Sequence, residues 1–250
     1  MELGFSMYLI IGASSGVGRA IAEEFAFKGH DLVLVSRDGR DLSAVASDLN
    51  LRYRVSVKFI ELDLSLNQPN FSEIYAQIDL CGDNFEGLLI PMGFVLWEDG
   101  LDIEVEDIDR LFRVNCISIL KLIVGVLRRV HVDNKISVTG FGSIASVRGR
   151  GSNMIYSTSK AAIRFYFDGL RHACAGGGII VQFYVLGYMD TNLAFGFNLA
   201  LPKGDPKKFA VEVYRNVKKD FGLRFYPRYW IFISMALKLV PWKLYKKLKF

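Results

Sequence analysis

Tyr156 and Lys160 stand four residues apart in the stretch SNMIYSTSKAA, residues 152–162. On a helix, positions i and i+4 share one face, one turn apart. A phenol and an ammonium would then lie side by side. A free phenol titrates near pH ~10, and a cation within about 4–6 Å lowers an acid's pKa by roughly 1–3 units. With that help Tyr156 gives and takes a proton near neutral pH, which is general acid–base work. For this fragment alone, an exposed helix with an unrelated Tyr and Lys is the plain alternative.

A second chemical signal lies near the start. GASSGVGRA, residues 12–20, follows the short apolar run YLIIG and opens a helix-like stretch from about Gly16 to Lys28. Glycines at 12, 16 and 18 allow a tight turn and close approach of phosphate oxygens to the backbone. The helix behind them offers free N–H groups and a positive dipole end. Gly12, Ser14, Ser15, Gly16, Val17 and Gly18 are therefore candidates to cradle a dinucleotide diphosphate, against the alternative of a ligand-free glycine turn. The second apolar run ends in LVLVSRD, with Ser36 where an acid would meet a free ribose hydroxyl and Arg37 next to it. An arginine there suits a 2′-phosphate, so NADP(H) is favoured over NAD(H), although Asp38 remains within reach of a ribose. Asp63 and Leu64, in ELDLS, are placed to meet the adenine; Asp63 also reads as a helix cap or turn residue.

These residues need elements to hold them. Short apolar runs at 8–12, 31–36, 55–62, 86–92, 135–140 and 178–186 alternate with longer amphipathic stretches, the longest from about Val105 to Val130. Six strands separated by helices predict an α/β fold: a Rossmann-like, doubly wound parallel sheet in one domain. The 250 residues, 51% hydrophobic, suffice for one such core. No run reaches the roughly 20 apolar residues of a membrane span. The start enters a glycine loop directly and reads as a core strand, not a secretion signal. Three scattered cysteines and three scattered histidines argue against disulfides and metal sites and favour a reducing cytoplasm.

With the glycine loop upstream, Asn115 in RVNCIS, Ser143 after the fifth apolar run, and Tyr156-S-T-S-Lys160-A-A form a joint pattern. The chain resembles the short-chain dehydrogenase/reductase family over nearly its whole length. The resemblance implies Tyr156 as the acid that protonates a carbonyl oxygen, and Lys160 as its pKa-lowering neighbour and holder of the nicotinamide ribose. It implies Ser143 as a hydrogen-bond donor to the substrate oxygen, and Asn115 as the residue positioning a water in a proton relay. Gly93 and Thr191 are implied on the cofactor side. Two departures stand out: Ile90-Pro91-Met92-Gly93 replaces the family's Asn-Asn-Ala-Gly, and Leu186-Gly187 replaces its Pro-Gly. An active enzyme is still expected, assembled as a homodimer or homotetramer through the helices bearing Asn115 and Tyr156.

Within the family, SVRGRGSNMIYSTSKA and the C-terminal PRYWIFISMALKLVPWKLYKKLKF are similar to the keto-sugar reductase branch of cell-envelope glycan synthesis. That branch implies a polyprenyl-phosphate-linked or nucleotide-linked keto-sugar substrate and a flavin oxidase partner. A lipophilic ketone, of ketosteroid or 3-ketoacyl type, is the alternative substrate, and a dinucleotide sensor without turnover is the alternative outside enzymes. NLAFGFNLALP, within a substrate lid expected at about 188–210, alternates apolar and small residues and either covers a lipid-like substrate or packs on the core. Residues 203–250 hold thirteen Lys/Arg against three Asp/Glu, while residues 1–202 hold eighteen against twenty-three. The basic end therefore seeks an anionic surface. Trp230, Ile233, Leu237 and Leu244 at helical spacing, with lysines around them and Pro241 as a break, read as a membrane-interfacial tail over 227–250 beside a catalytic domain over 1–226. The tail would lie on the cytoplasmic face of a membrane; packing against a sister subunit is the alternative. Nothing groove-reading accompanies the charge, so no nucleic acid is expected.

Overall fold

The computed structural model describes residues 6–96, 99–130, 135–191 and 202–247. Seven parallel strands form one sheet in the order β3-β2-β1-β4-β5-β6-β7: β1 Met7–Ile11, β2 Asp31–Ser36, β3 Val57–Glu61, β4 Phe85–Ile90, β5 Ser137–Ser143, β6 Ile180–Leu186 and β7 Leu223–Tyr226. Strands buried on both faces must be apolar throughout, and β1, MYLII, is buried at all five positions. Side chains alternate across a strand. Leu9 and Ile11 enter one core with α3 (Ser72–Cys81), α5 (Ser118–Leu127) and α6 (Met154–Ala173). Tyr8 and Ile10 enter the other with α1 (Gly16–Phe27), α2 (Gly39–Tyr53) and α7 (Pro206–Asn216). The doubly wound fold expected from the sequence is therefore present.

The strand order reverses between β1 and β4, and ligands of such sheets bind outside the strand ends at that switch. The glycine loop leaves β1 there, and Pro91–Leu96 leaves β4 beside it.

Three differences from the sequence reading matter. The strand β7 was not expected. The stretch 105–130 is not one helix: α4, Val105–Phe112, passes through a π turn at Arg113–Ile117 into α5. At the C-terminus, α8 (Trp230–Leu239) and α9 (Trp242–Tyr245) do flank Pro241. However, Trp230 is buried and Ile233 and Leu237 are half-buried, so the expected membrane stripe includes the side facing the body. Residues 192–201 of the expected lid lie outside the described residues. No helix among the described residues is long and apolar enough to cross a membrane.

Candidate active site

A cleft of about 1000 Å³ runs along the carboxyl ends of the strands. Its lining includes Gly12, Ser14, Ser15, Gly16 and Val17 from the glycine loop, Arg37, Asp63 and Leu64 from the next two strand exits, and Gly93 and Thr191. At the far end it includes Ser143, Tyr156 and Lys160. Of the expected site residues, Gly18 and Asn115 stand behind this wall.

The glycine turn is shaped by what a side chain would strike. Gly12 has φ +92°, and a Cβ there would sit 3.0 Å from Met92. A Cβ on Gly18 would fall 1.9 Å from the Gly12 carbonyl oxygen, so only glycine lets α1 pack this closely on the loop. Ser15, the residue before α1, makes no side-chain bond to the helix amides, and no acid occupies its first turn. Those amides and the dipole end are what a diphosphate requires, and the residues present fit a dinucleotide. At the β2 exit, Ser14 and Ser36 hydroxyls meet at 2.9 Å, and Asp38 accepts from the Asp41 amide at 3.0 Å to cap α2. Burial pushes the Asp63 carboxyl up, but hydrogen bonds from Ser65 and the charges of Arg37 and Arg110 outweigh it, and its pKa lies below the ordinary value.

At the other end, Tyr156 is 9% and Lys160 3% exposed. Ser143 Oγ accepts from the Ala145 amide at 3.1 Å, which leaves its proton for the Tyr156 hydroxyl. Burial raises the Tyr156 pKa, while Ser143 and then Arg150 pull the other way without reversing it. The expectation that Lys160 lowers this phenol is corrected: Ser143 and Arg150 are the groups that lower it. Lys160 Nζ instead donates to the Met92 carbonyl at 3.0 Å. A Cβ on Gly93 would come within 3.2 Å of that nitrogen and crowd it. Burial lowers the Lys160 pKa to about 8, against a small opposing effect of Cys116.

Asn115 is fully buried in the π turn. Its Oδ1 accepts from the Phe94 amide at 2.8 Å, and its Nδ2 donates to the Phe94 carbonyl at 2.8 Å and to Ser159 Oγ at 3.2 Å. Ser159 Oγ in turn donates to the Tyr156 carbonyl. The side chain thus ties the β4 exit to α6, and both its amide protons are already engaged by protein. Its expected water-positioning part has no side-chain donor left to serve it.

Sequence reasoning missed Asp99. Asn153 precedes α6 but does not cap it. The buried Asp99 does so from the β4–α4 loop, accepting from the Ile155 amide at 2.8 Å and the Tyr156 amide at 2.6 Å. The partners are more than fifty residues apart, and no local pattern announces such a cap. Arg110 and Arg150, which also line the cleft, had no assigned part either. Asp99→Ala is expected to cost about 1–2 kcal/mol of stability and to lower kcat more than cofactor affinity, since one of the two amides belongs to Tyr156. Asp99→Asn keeps one acceptor oxygen for the two amides and sets an NH2 against the other, so it should restore only part of the loss. Thermal unfolding with kcat and cofactor Kd checks this; an unchanged Tm in Asp99→Ala would refute the cap.

The family profile described as short chain dehydrogenase matches residues 6–199. A very-long-chain 3-oxoacyl-CoA reductase of Bos taurus is 26% identical over 95% of this chain and 77% of its own length. An uncharacterized short-chain type dehydrogenase/reductase of Sinorhizobium fredii is 30% identical over 82% of this chain and 77% of its own. Among solved structures, a short-chain dehydrogenase from Sphingobium yanoikuyae in complex with NADPH shares the fold at TM-score 0.78 and 24% identity, covering 98% of this chain and 97% of that one.

Proposed function

The chain belongs to the short-chain dehydrogenase family and is an NAD(P)-dependent oxidoreductase, and on that premise we propose that it reduces a ketone carried by a lipophilic, 3-oxoacyl-type substrate. The observation that carries the reading is the Ser143–Tyr156–Lys160 cluster, with Tyr156 and Lys160 buried, at one end of a cleft whose other end fits a dinucleotide. The bound nicotinamide supplies the hydride. Tyr156 Oη holds its proton at neutral pH, because burial raises its pKa, and gives it to the carbonyl oxygen. Ser143, whose hydroxyl meets that of Tyr156, is placed beside the same oxygen and would stabilise the charge developing on it. Lys160 Nζ, poised near pH 8, would hold the ribose of the bound cofactor and supply the proton that restores Tyr156. Asn115 keeps the helix carrying both in register with the β4 exit. Phe94, Val95, Leu96 and Ile144 line the cleft with them and suit an apolar chain, in keeping with the name of the bovine relative.

A lipid-linked keto-sugar, made by a flavin oxidase partner, is the second reading. Arg150, Ser152 and Asn153 favour it, because they make the cleft wall polar next to Tyr156. Purified chain with NADPH, offered 3-oxoacyl-CoA thioesters of increasing chain length and polyprenyl-phosphate-linked keto-pentose, separates the two. Turnover that rises with acyl length supports the first, turnover confined to the sugar replaces it with the second, and cofactor binding with no turnover on any ketone refutes both. Phe165 on α6, with Ile117 and Val124 on the broken helix, are exposed apolar side chains and support a second copy packing there.

The cofactor is proposed to be NADP(H) in preference to NAD(H). Arg37 borders the cleft, Asp38 is engaged as a helix cap, and the Sphingobium neighbour was solved with NADPH. Arg37→Ala should raise KM for NADPH about tenfold or more, the scale of one charge-assisted contact, and leave KM for NADH nearly unchanged. Equal effects on both would remove the 2′-phosphate contact.

A further inference from the structure

Residues 227–250 contain six Lys/Arg and no acid. On their outer side, Ile231, Phe232, Met235, Leu239, Trp242 and Leu244 are all exposed, Phe232 at 73%, Leu239 at 79% and Trp242 at 67%. Lys238, Lys243, Lys246 and Lys247 are exposed among them. On the inner side the two helices are fastened to the cleft wall. The Trp230 indole occupies the space a side chain on Gly187 would need, and its ring lies 5.8 Å from that of Tyr188; Gly187 and Tyr188 both line the cleft. Arg148 donates to the Leu237 and Val240 carbonyls at 2.5 and 2.6 Å, satisfying the end of α8. Its guanidinium also lies 3.7 Å over the Tyr245 ring, and the Tyr245 hydroxyl donates to the Gly149 carbonyl at 2.8 Å. Arg148 and Gly149 belong to the segment joining Ser143 to Tyr156.

We propose that α8 and α9 form a docking face for an anionic lipid bilayer, built onto the wall of the catalytic cleft. Apolar and aromatic side chains rimmed by lysines, with no acid among them, match an interfacial helix, and each lysine adds attraction to an anionic leaflet. A second copy of this chain is the poorer occupant: a two-fold contact would set six cations against six with no acid from either tail. Because the helices are clamped rather than trailing, docking fixes the orientation of the whole domain. One helix layer, about 10 Å, then separates the lipid from the cleft wall, so a lipophilic ketone passes to Tyr156 without leaving the bilayer region. This last step rests on the proposed substrate class; the docking face does not.

The test uses the full chain with vesicles of phosphatidylcholine, with and without phosphatidylglycerol, in a flotation assay. Binding is expected only with phosphatidylglycerol and should weaken as salt rises. Lys243→Glu with Lys246→Glu, and separately Phe232→Ser with Trp242→Ser, should each lower vesicle partitioning at least tenfold. Tm should stay near and NADPH affinity equal to wild type, since all four side chains are exposed and, among the described residues, only Trp242 touches a buried ring, that of Tyr245. No binding to anionic vesicles, or binding that survives both double variants, overturns the proposal. So does a wild-type dimer that the variants convert to monomer without lipid, which would give the face to a second copy. Vesicle binding without reduction of any lipophilic ketone keeps the docking face and removes the substrate reading. Reduction without vesicle binding does the reverse.

Discussion

Tyr156→Phe is expected to lower kcat for ketone reduction by about 10³-fold, while cofactor affinity stays within about twofold of wild type. Positioned proton transfer contributes about 10²–10⁴-fold, and 10³-fold corresponds to about 4 kcal/mol of barrier. The proton that leaves with the substitution is the one held by a buried phenol whose pKa lies above its ordinary value. Such a group is a donor at neutral pH, so reduction should depend little on pH from 6 to 8. The reverse reaction, alcohol oxidation, needs Tyr156 without its proton and should accelerate as pH rises. Phenylalanine fills the same volume, and Ser143 keeps its bond from the Ala145 amide, so stability should change by no more than about 1 kcal/mol. Steady-state kinetics on both substrates, a cofactor titration and thermal unfolding give the answer. A variant with more than a tenth of wild-type kcat would remove Tyr156 from the proton transfer.

The legible parts of this molecule are those whose signals are local. Six of the seven strands start within two residues of their apolar runs, and α1 starts at Gly16 as the glycine loop predicts. The Tyr156/Lys160 pair sits on one helix because i, i+4 spacing is a property of the chain itself. What escaped is made by distant partners. The 105–130 stretch reads as one helix, and the π turn becomes evident only once Asn115 is seen bonding both backbone groups of Phe94. Asp99 caps a helix fifty-odd residues downstream. The strand β7 is four half-buried residues at the sheet edge, too short and mixed to show a period. Its neighbour α7 was readable, since Asp205 caps it and Pro206 opens it, but that signal went unused. The tail shows the limit most sharply. Helical spacing found its apolar residues, yet which of them face the body depends on Gly187 making room for Trp230.

The same distinction decides what Lys160 does. From spacing alone its ammonium was assigned to the Tyr156 phenol; in the fold it is 3% exposed and bonded to the Met92 carbonyl. Burial has moved the cost of its charge onto stability. Its folded pKa of about 8 lies below its value of 10.5 in an unfolded chain. Below pH 8 both states carry the proton and the folded state bears the full penalty. Between pH 8 and 10.5 the unfolded state holds more protons, so stability rises with pH. The cofactor-free protein should therefore gain about 1 kcal/mol from this group between pH 7 and 9. Lys160→Met keeps an unbranched chain of similar size without the charge. The full penalty it removes is roughly 3 kcal/mol, and the lost bond to Met92 offsets about 1.5–3 kcal/mol of that. The variant should thus be no less stable than wild type at pH 7, and its stability should be flat across the window where wild type rises. Its kcat should fall by at least about 10²-fold under the proposed mechanism, in which Lys160 restores the Tyr156 proton. Chemical denaturation at pH 7, 8 and 9 beside turnover measurements tests both halves. A variant that unfolds more easily at pH 7 and keeps the wild-type slope would mean that Lys160 is not a strained buried cation, and the proton relay built on it would fall with that result.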